Sequence, residues 1–300
     1  MTNTNDDARE LGPPWTILKI LRWTTGYLAE KQSDSPRLDA EVLLAHALNL
    51  ERVQLYAQFD RPLLAEELTT VRALVKRRAA KEPIAYIVGS RGFWTIELKT
   101  DARALIPRPD TEVLVEAALE LLAIDSEASV VDVGTGTGAI ALALVTERPK
   151  LRMAATDLRA DTLALAAENA ELLGLTSRVH FFEGDLLEAL DPSWAPLDMI
   201  VSNPPYIAVD QKPHLMGDVR DFEPELALFA GPEGLDVIRP LVAQAFAHLK
   251  PGGAFLCEIG YDQGSSVRAL FEQAGFGQVL VRPDYARCDR VVIGKKPLQP

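Results

Sequence analysis

From residue 130 onward, short apolar runs of strand length alternate with segments of helical periodicity, and that alternation admits few folds. It predicts a doubly wound, largely parallel sheet with helices on both faces. Strands are expected at 130–133, 153–156, 179–182, 199–202, 254–259, 278–281 and 290–293. Helices are expected from 139, over 160–173, near 236–249 and over 265–274.

The first ninety residues read differently. Ile17, Leu18, Leu21, Tyr27 and Leu28 form one stripe at helical spacing, residues 42–50 a second, and Leu68, Val71, Leu74 and Val75 a third that Pro83 ends. Ser35 before Pro36 has the form of an N-cap followed by proline at the first helical position. Trp15, Trp23 and Tyr27 are read as core of this helical module. Between the modules, residues 93–98 alternate, Thr100-Asp101 interrupts, and Ala104-Leu105-Ile106 resumes, which suggests a hairpin. The expected division is a helical domain over 1–90, a β-hairpin linker over 91–108 and a sheet domain over 109–300.

Composition removes several classes of function. No apolar run reaches the ~18 residues of a membrane span, and residues 1–10 are polar and acidic, unlike a secretory signal; a cytoplasmic protein without membrane association is expected. Cys257 and Cys288 cannot build a disulfide framework, and His46, His180, His214 and His248 are scattered, so no metal is expected. Residues 1–91 are nearly balanced in charge, which places the net −12 in the C-terminal part and argues against stable nucleic-acid binding. The one basic cluster, Lys76, Arg77, Arg78 and Lys81, reads as the solvated end of a helix.

Two segments carry chemistry. Val130-Val131-Asp132-Val133-Gly134-Thr135-Gly136-Thr137-Gly138-Ala139-Ile140 is a strand, a glycine-rich turn and a helix start, the unit that holds a nucleotide at the edge of a parallel sheet. Asp157 ends the next strand, ~20 residues on, where a carboxylate can accept both ribose hydroxyls of an adenosine, although it could instead cap the helix at Ala160. Asp185 follows the third strand beside Leu186; the pair could flank an adenine, or Gly184-Asp185 could be an ordinary turn.

The second segment is a strand ending in Asn203-Pro204-Pro205-Tyr206. An amide or aniline-like NH2 is a weak nucleophile because its lone pair is delocalised. Catalysis needs two acceptors to hold its N–H bonds while the lone pair turns toward a sulfonium methyl. The Asn203 side-chain oxygen and the Pro204 carbonyl can serve, since neither proline has an N–H and both restrict the chain to extended shapes. Tyr206 is expected to offer a stacking face. The transfer of a methyl group from S-adenosylmethionine to a planar nitrogen follows.

These residues resemble the bacterial peptide chain release factor N5-glutamine methyltransferase family nearly end to end. The strings that carry the resemblance begin at Ser35 (SPRLDAEVLL), Glu82 (EPIAYIVG), Gly92 (GFW), Leu105 (LIPRPDTE), Val131 (VDVGTGTGAIAL), Ser202 (SNPPYI), Glu223 (EPELAL) and Glu258 (EIGYDQG). The resemblance implies a seven-stranded Rossmann-like S-adenosylmethionine methyltransferase sheet with a small all-helical N-terminal domain. It implies cofactor contacts from Gly134 to Gly138, Asp157 and Leu186, a substrate amide held by Asn203 to Tyr206, and Phe93 walling the pocket. It also implies class 1 release factors as protein substrates, methylated on the glutamine of a Gly-Gly-Gln motif and recognised partly by the helical module. Three places depart from the family pattern: Thr95 stands where a glycine is usual, Leu186 where an aromatic often stacks, and residues 284–290 vary a glycine-containing turn.

The principal rival is an adenine or guanine N-methyltransferase of nucleic acid, which shares the Asn-Pro-Pro-Tyr chemistry but calls for a basic gripping surface and extrusion of the base. A non-catalytic cofactor-binding adaptor and a dinucleotide oxidoreductase leave that tetrapeptide without a task.

Overall fold

The computed structural model describes residues 14–298; the polar stretch read at residues 1–10 lies outside them. The chain divides into two compact units. One comprises the residues up to Gly89 together with Gly217–Phe222, the other Ser90–Met216 and the residues from Glu223.

The first unit is helical: α1 (Ile17–Glu30), α2 (Pro36–Leu48), α3 (Arg52–Ala57), α4 (Ala65–Ala79) and α5 (Ile84–Val88). The stripe read from sequence is the buried face of α1, where Ile17, Ile20, Leu21 and Leu28 meet Leu43, Leu44, Val71 and Val75 in one core. The Thr16 hydroxyl caps α1 by accepting from the Lys19 N–H. Ser35 occupies the N-cap position of α2 with Pro36 behind it, yet its side chain makes no capping bond; Ser33 donates to Asp39 instead, at 2.6 Å. Trp23 and Tyr27 stack at 5.2 Å between ring centroids against this core.

The basic cluster at the end of α4 is not simply a solvated helix end. Arg78 is buried, donating to Asp39 at 2.7 Å, to the Glu82 carbonyl at 3.2 Å and to Asp218 at 3.4 Å. Arg77 pairs with Glu82, and Lys81 donates to the Gln32 carbonyl. Of the cluster, three cations are thus spent on partners within the unit.

In the second unit, β1 (Ser90–Phe93) and β2 (Ile96–Lys99) form an antiparallel hairpin. Its second strand is Ile96–Lys99, not the 104–106 segment anticipated from sequence, because the chain reverses at Trp94-Thr95. Trp94 takes the left-handed conformation (φ 54°) and is held there by bonds from its backbone N–H to Glu112 (3.0 Å) and from its indole N–H to Glu147 (2.9 Å). Thr95, the departure from glycine, is not among the positive-φ residues, so it meets no conformational demand that requires glycine.

There follow α6 (Glu112–Leu121), β3 (Ser129–Val133), α7 (Ala139–Glu147), β4 (Arg152–Asp157), α8 (Ala160–Leu172), β5 (Val179–Glu183) and β6 (Leu197–Ser202). The short α9 (Gly217–Phe222) belongs to the helical unit; α10 (Ile238–His248), β7 (Leu249–Glu258), α11 (Gly264–Ala274), β8 (Gly277–Pro283) and β9 (Asp289–Lys295) complete the chain. The sheet order is β5-β4-β3-β6-β7-β9-β8, parallel from β5 through β7, with β9 antiparallel to β7 and β8 antiparallel to β9. This is the expected seven-stranded doubly wound sheet.

Both faces are covered. The α7 segment from Ala139 to Val145 is wholly buried and packs with α6 and the hairpin residues Phe93, Ile96 and Leu98 on one face. On the other, Leu241, Val242 and Ala245 of α10 and Val267 and Phe271 of α11 pack on Val131, Ile200 and Phe255. In the β8–β9 turn, one of the departures from the family pattern, Arg287 takes the left-handed region (φ 66°), and Asp284 closes the turn by accepting from the Cys288 N–H at 2.9 Å and from Arg290. No helix among the described residues is long and apolar enough to cross a membrane.

Candidate active site

In an open parallel sheet, ligands bind where successive connections leave in opposite directions. Here that point lies between β3, whose neighbours are β4 and β6, and β6 itself. Val133 pairs with both Thr156 and Ser202, so Gly134 and Asn203 are each the first residue past the ladder on adjacent strands, with Asp157 one position beyond Thr156. The glycine loop, the acidic strand end and the Asn-Pro-Pro-Tyr turn are therefore brought to one edge by register alone. The Ser202 hydroxyl donates to the Val133 carbonyl at 2.7 Å and ties the two strand ends together.

A cavity of about 270 Å³ opens there. Its wall includes Gly134, Thr135, Gly136, Thr137, Asp157, Asp185, Leu186, Asn203 and Pro205, with Phe93 from the hairpin. Gly134 has φ 70°, and a Cβ built on it would stand in open space. Asp157 accepts from the Gly136 N–H at 3.0 Å and from the Arg159 N–H at 3.1 Å, which fixes both of its oxygens. Gly138 is in the N-cap position of α7, and its loop neighbour Thr137 offers its carbonyl to Asn169 Nδ2 at 2.9 Å; the same amide bonds the Lys99 backbone, so α8 ties hairpin to glycine loop. Leu186 adopts φ 49° and packs partly against the core.

The prolyl turn has a supporting frame that sequence reasoning did not assign. Asn203 Nδ2 donates to Thr111 Oγ1 at 3.1 Å. The Tyr206 carbonyl accepts from Gln263 Nε2 at 3.0 Å, and a Cβ at Gly234 would collide with that carbonyl oxygen. Arg108 pairs with buried Glu223 at 2.6 Å, joining the segment after the hairpin to the loop that brings Pro224, Leu226, Ala227 and Phe229 to the cavity.

Pro204 is buried and does not line the cavity. Tyr206 faces a second cavity with Gln211, Tyr261 and Arg290, packs on the core and places its hydroxyl 3.4 Å from Glu258. The stacking face expected of Tyr206 is thus directed to the far side of the turn.

Two carboxyls in this frame are fully buried. Burial pushes Asp132 up to about 7 despite bonds from the Thr135 hydroxyl (2.6 Å) and the Ala141 N–H (3.2 Å). Burial likewise pushes Glu258 up to about 7, opposed by the Thr111 hydroxyl and the Arg290 charge. Between the ordinary carboxyl pKa of about 4 and this raised value, the folded protein keeps protons the unfolded chain has released. The stabilisation is complete below that window and is lost as pH rises through about 7. The unfolding free energy from urea titrations is expected to fall between pH 5 and pH 8, and Glu258→Gln to flatten part of that fall.

The fold is that of a methyltransferase. A solved methyltransferase from Pyrococcus furiosus, 15% identical, superposes at a TM-score of 0.50 over 76% of this chain and 98% of that one. Residues 110–217 match the family described as the methyltransferase small domain, and residues 19–89 that described as the PrmC N-terminal domain. A release factor glutamine methyltransferase of Xylella fastidiosa is 49% identical, covering 87% of this chain and 94% of its own. One from Geobacter sulfurreducens is 43% identical over 94% of this chain and 97% of its own. The chain belongs to the release factor glutamine methyltransferase family.

Proposed function

We propose that this protein transfers the methyl group of S-adenosylmethionine to the side-chain amide nitrogen, N5, of the glutamine in the Gly-Gly-Gln motif of class 1 peptide chain release factors. The observation that carries this reading is Asn203 at the cavity wall with its Nδ2 engaged by Thr111, which leaves its oxygen as the end able to accept a substrate N–H.

The residues present fit an adenosyl group: the Gly134 wall is open where a side chain would intrude, and each Asp157 oxygen keeps a lone pair for a ribose hydroxyl. Asp185 and Leu186, on the same cavity wall, would flank the adenine. When bound, S-adenosylmethionine supplies an electrophilic methyl on a sulfonium, and S-adenosylhomocysteine is the product. Asn203, at the cavity wall, would hold an amide N–H of the substrate and so turn the nitrogen lone pair toward a bound methyl donor; Pro204, buried behind Pro205, would keep the turn extended. Positioning of this kind is where most of the rate gain lies. The alkylated nitrogen is strongly acidic and loses its proton to water, so no general base is required beforehand. Phe93 and Pro205 close the wall. The helical unit acts as the release-factor-recognition domain. Stable nucleic-acid binding is disfavoured by the net charge of −12 and by the paired basic cluster of α4.

The test is to incubate the protein with labelled S-adenosylmethionine and, separately, a release factor, its Gln→Ala variant, DNA and ribosomal RNA. Label is expected on the unaltered release factor alone; label on nucleic acid and none on the release factor would reverse the substrate assignment. Asp157→Ala should weaken S-adenosylhomocysteine binding by about 10²-fold, the value of two hydrogen bonds to a charged acceptor, as read by calorimetry.

A further inference from the structure

We propose, resting on the reading that Asn203 accepts the substrate amide, that Thr111 is a positioning residue that decides which end of the Asn203 side chain faces the substrate, with the buried Glu258 carboxylate setting its direction. An asparagine amide has nearly the same shape with its oxygen and nitrogen exchanged, and only one of the two orientations can accept an N–H. Steric fit therefore does not choose between them; a hydrogen bond must.

Thr111 closes the 3-10 turn Pro109–Thr111, is itself buried, and lies at the cavity wall. Its Oγ1 is 3.1 Å from Asn203 Nδ2. A hydroxyl has one proton and two lone pairs, so its role toward Asn203 depends on where the proton goes. Glu258, at the end of β7, is 1% exposed. Tyr206 reaches its Oε1 at 3.4 Å, while Oε2 has no hydrogen-bond partner at standard geometry. The Thr111 hydroxyl, the Arg290 charge and the Tyr206 hydroxyl all favour the charged form of this carboxyl. Once Glu258 is ionised, above pH about 7, and draws the Thr111 proton, the Thr111 oxygen can only accept, and it accepts from Nδ2. The reversed amide would set Asn203 Oδ1 against a lone pair of Thr111, two acceptors in contact. Glu258 and Thr111 thus act through Asn203 and do not touch the reacting atoms.

The experiment measures single-turnover methyl transfer to a release factor by the full chain and its Thr111→Val, Thr111→Ser, Asn203→Ala and Thr111→Val/Asn203→Ala variants, with S-adenosylhomocysteine affinity by calorimetry. Thr111→Val keeps the shape and removes the hydroxyl. It should slow transfer by about 10²-fold, the cost of a misplaced reacting group, with cofactor affinity within about threefold. Thr111→Ser should recover most of the rate. In the Asn203→Ala background Thr111→Val should cost less than about threefold, since its effect passes through the missing amide. A rate retained by Thr111→Val, no rescue by serine, losses that multiply, or an equal loss of cofactor affinity would each overturn the proposal. Failure of the underlying reading is seen separately, as Asn203→Ala alone keeping its rate.

Discussion

Replacing Asn203 with alanine is expected to lower kcat for release factor methylation by at least about 10³-fold, close to 4 kcal/mol in the barrier, while S-adenosylhomocysteine binds almost as before. On the proposed reading the change removes the acceptor that orients the amine, but it leaves Gly134 to Thr137 and Asp157, which line the same cavity. Asn203 is only partly buried, so its truncation opens no core void. Stopped reactions with labelled methyl donor give the rate and calorimetry gives the affinity. An equal fall in both would assign Asn203 to the cofactor and remove it from its role toward the amide.

The second large effect concerns stability. Arg78 and Asp39 have side chains 7% and 9% exposed, and Arg78→Met would leave the Asp39 charge buried with Ser33 as its remaining side-chain partner. Breaking a buried pair from one side costs about 3–5 kcal/mol, because the stranded charge keeps its desolvation penalty. The helical signal in urea is expected to melt at a correspondingly lower concentration. Replacing both partners, Arg78→Met with Asp39→Leu, should restore most of the loss, as no ion then remains to be desolvated. A double variant no more stable than the single one would show that the guanidinium matters through its bonds to Glu82 and Asp218 instead.

What was legible in the sequence follows the range of the interaction that decides it. The strands and helices of the sheet unit could be read because periodicity is local, and the joint position of Gly134, Asp157 and Asn203 followed from strand order at a switch point. The hairpin was misplaced because Thr100-Asp101 has turn composition, whereas the actual reversal uses a tryptophan in a left-handed conformation stabilised by Glu112 and Glu147, 18 and 53 residues away. Arg78 looks solvated in the sequence because its partners Asp39 and Asp218 lie 39 and 140 residues off. The frame of the prolyl turn was hidden for the same reason. Thr111 is 92 residues from Asn203, Glu223 is 115 from Arg108, and Gln263 is 57 from Tyr206. Each of the three lies in a string that carries the family resemblance, yet no local pattern assigns it a partner. The direction of the Tyr206 ring depends on Glu258 and the core behind it, which a tetrapeptide does not encode.

The discontinuity of the helical unit constrains the order in which a ribosome can deliver it. Five helices emerge first, but the α9 turn that supplies Asp218 to Arg78 is translated only after the hairpin, four strands of the large sheet and the Asn203–Tyr206 segment. A nascent chain paused near residue 100 would carry a helical unit with an incomplete charge complement, and autonomous expression of that fragment would inherit the same deficit. Completion of the small unit is thereby made to wait on synthesis of the cavity wall around Asn203.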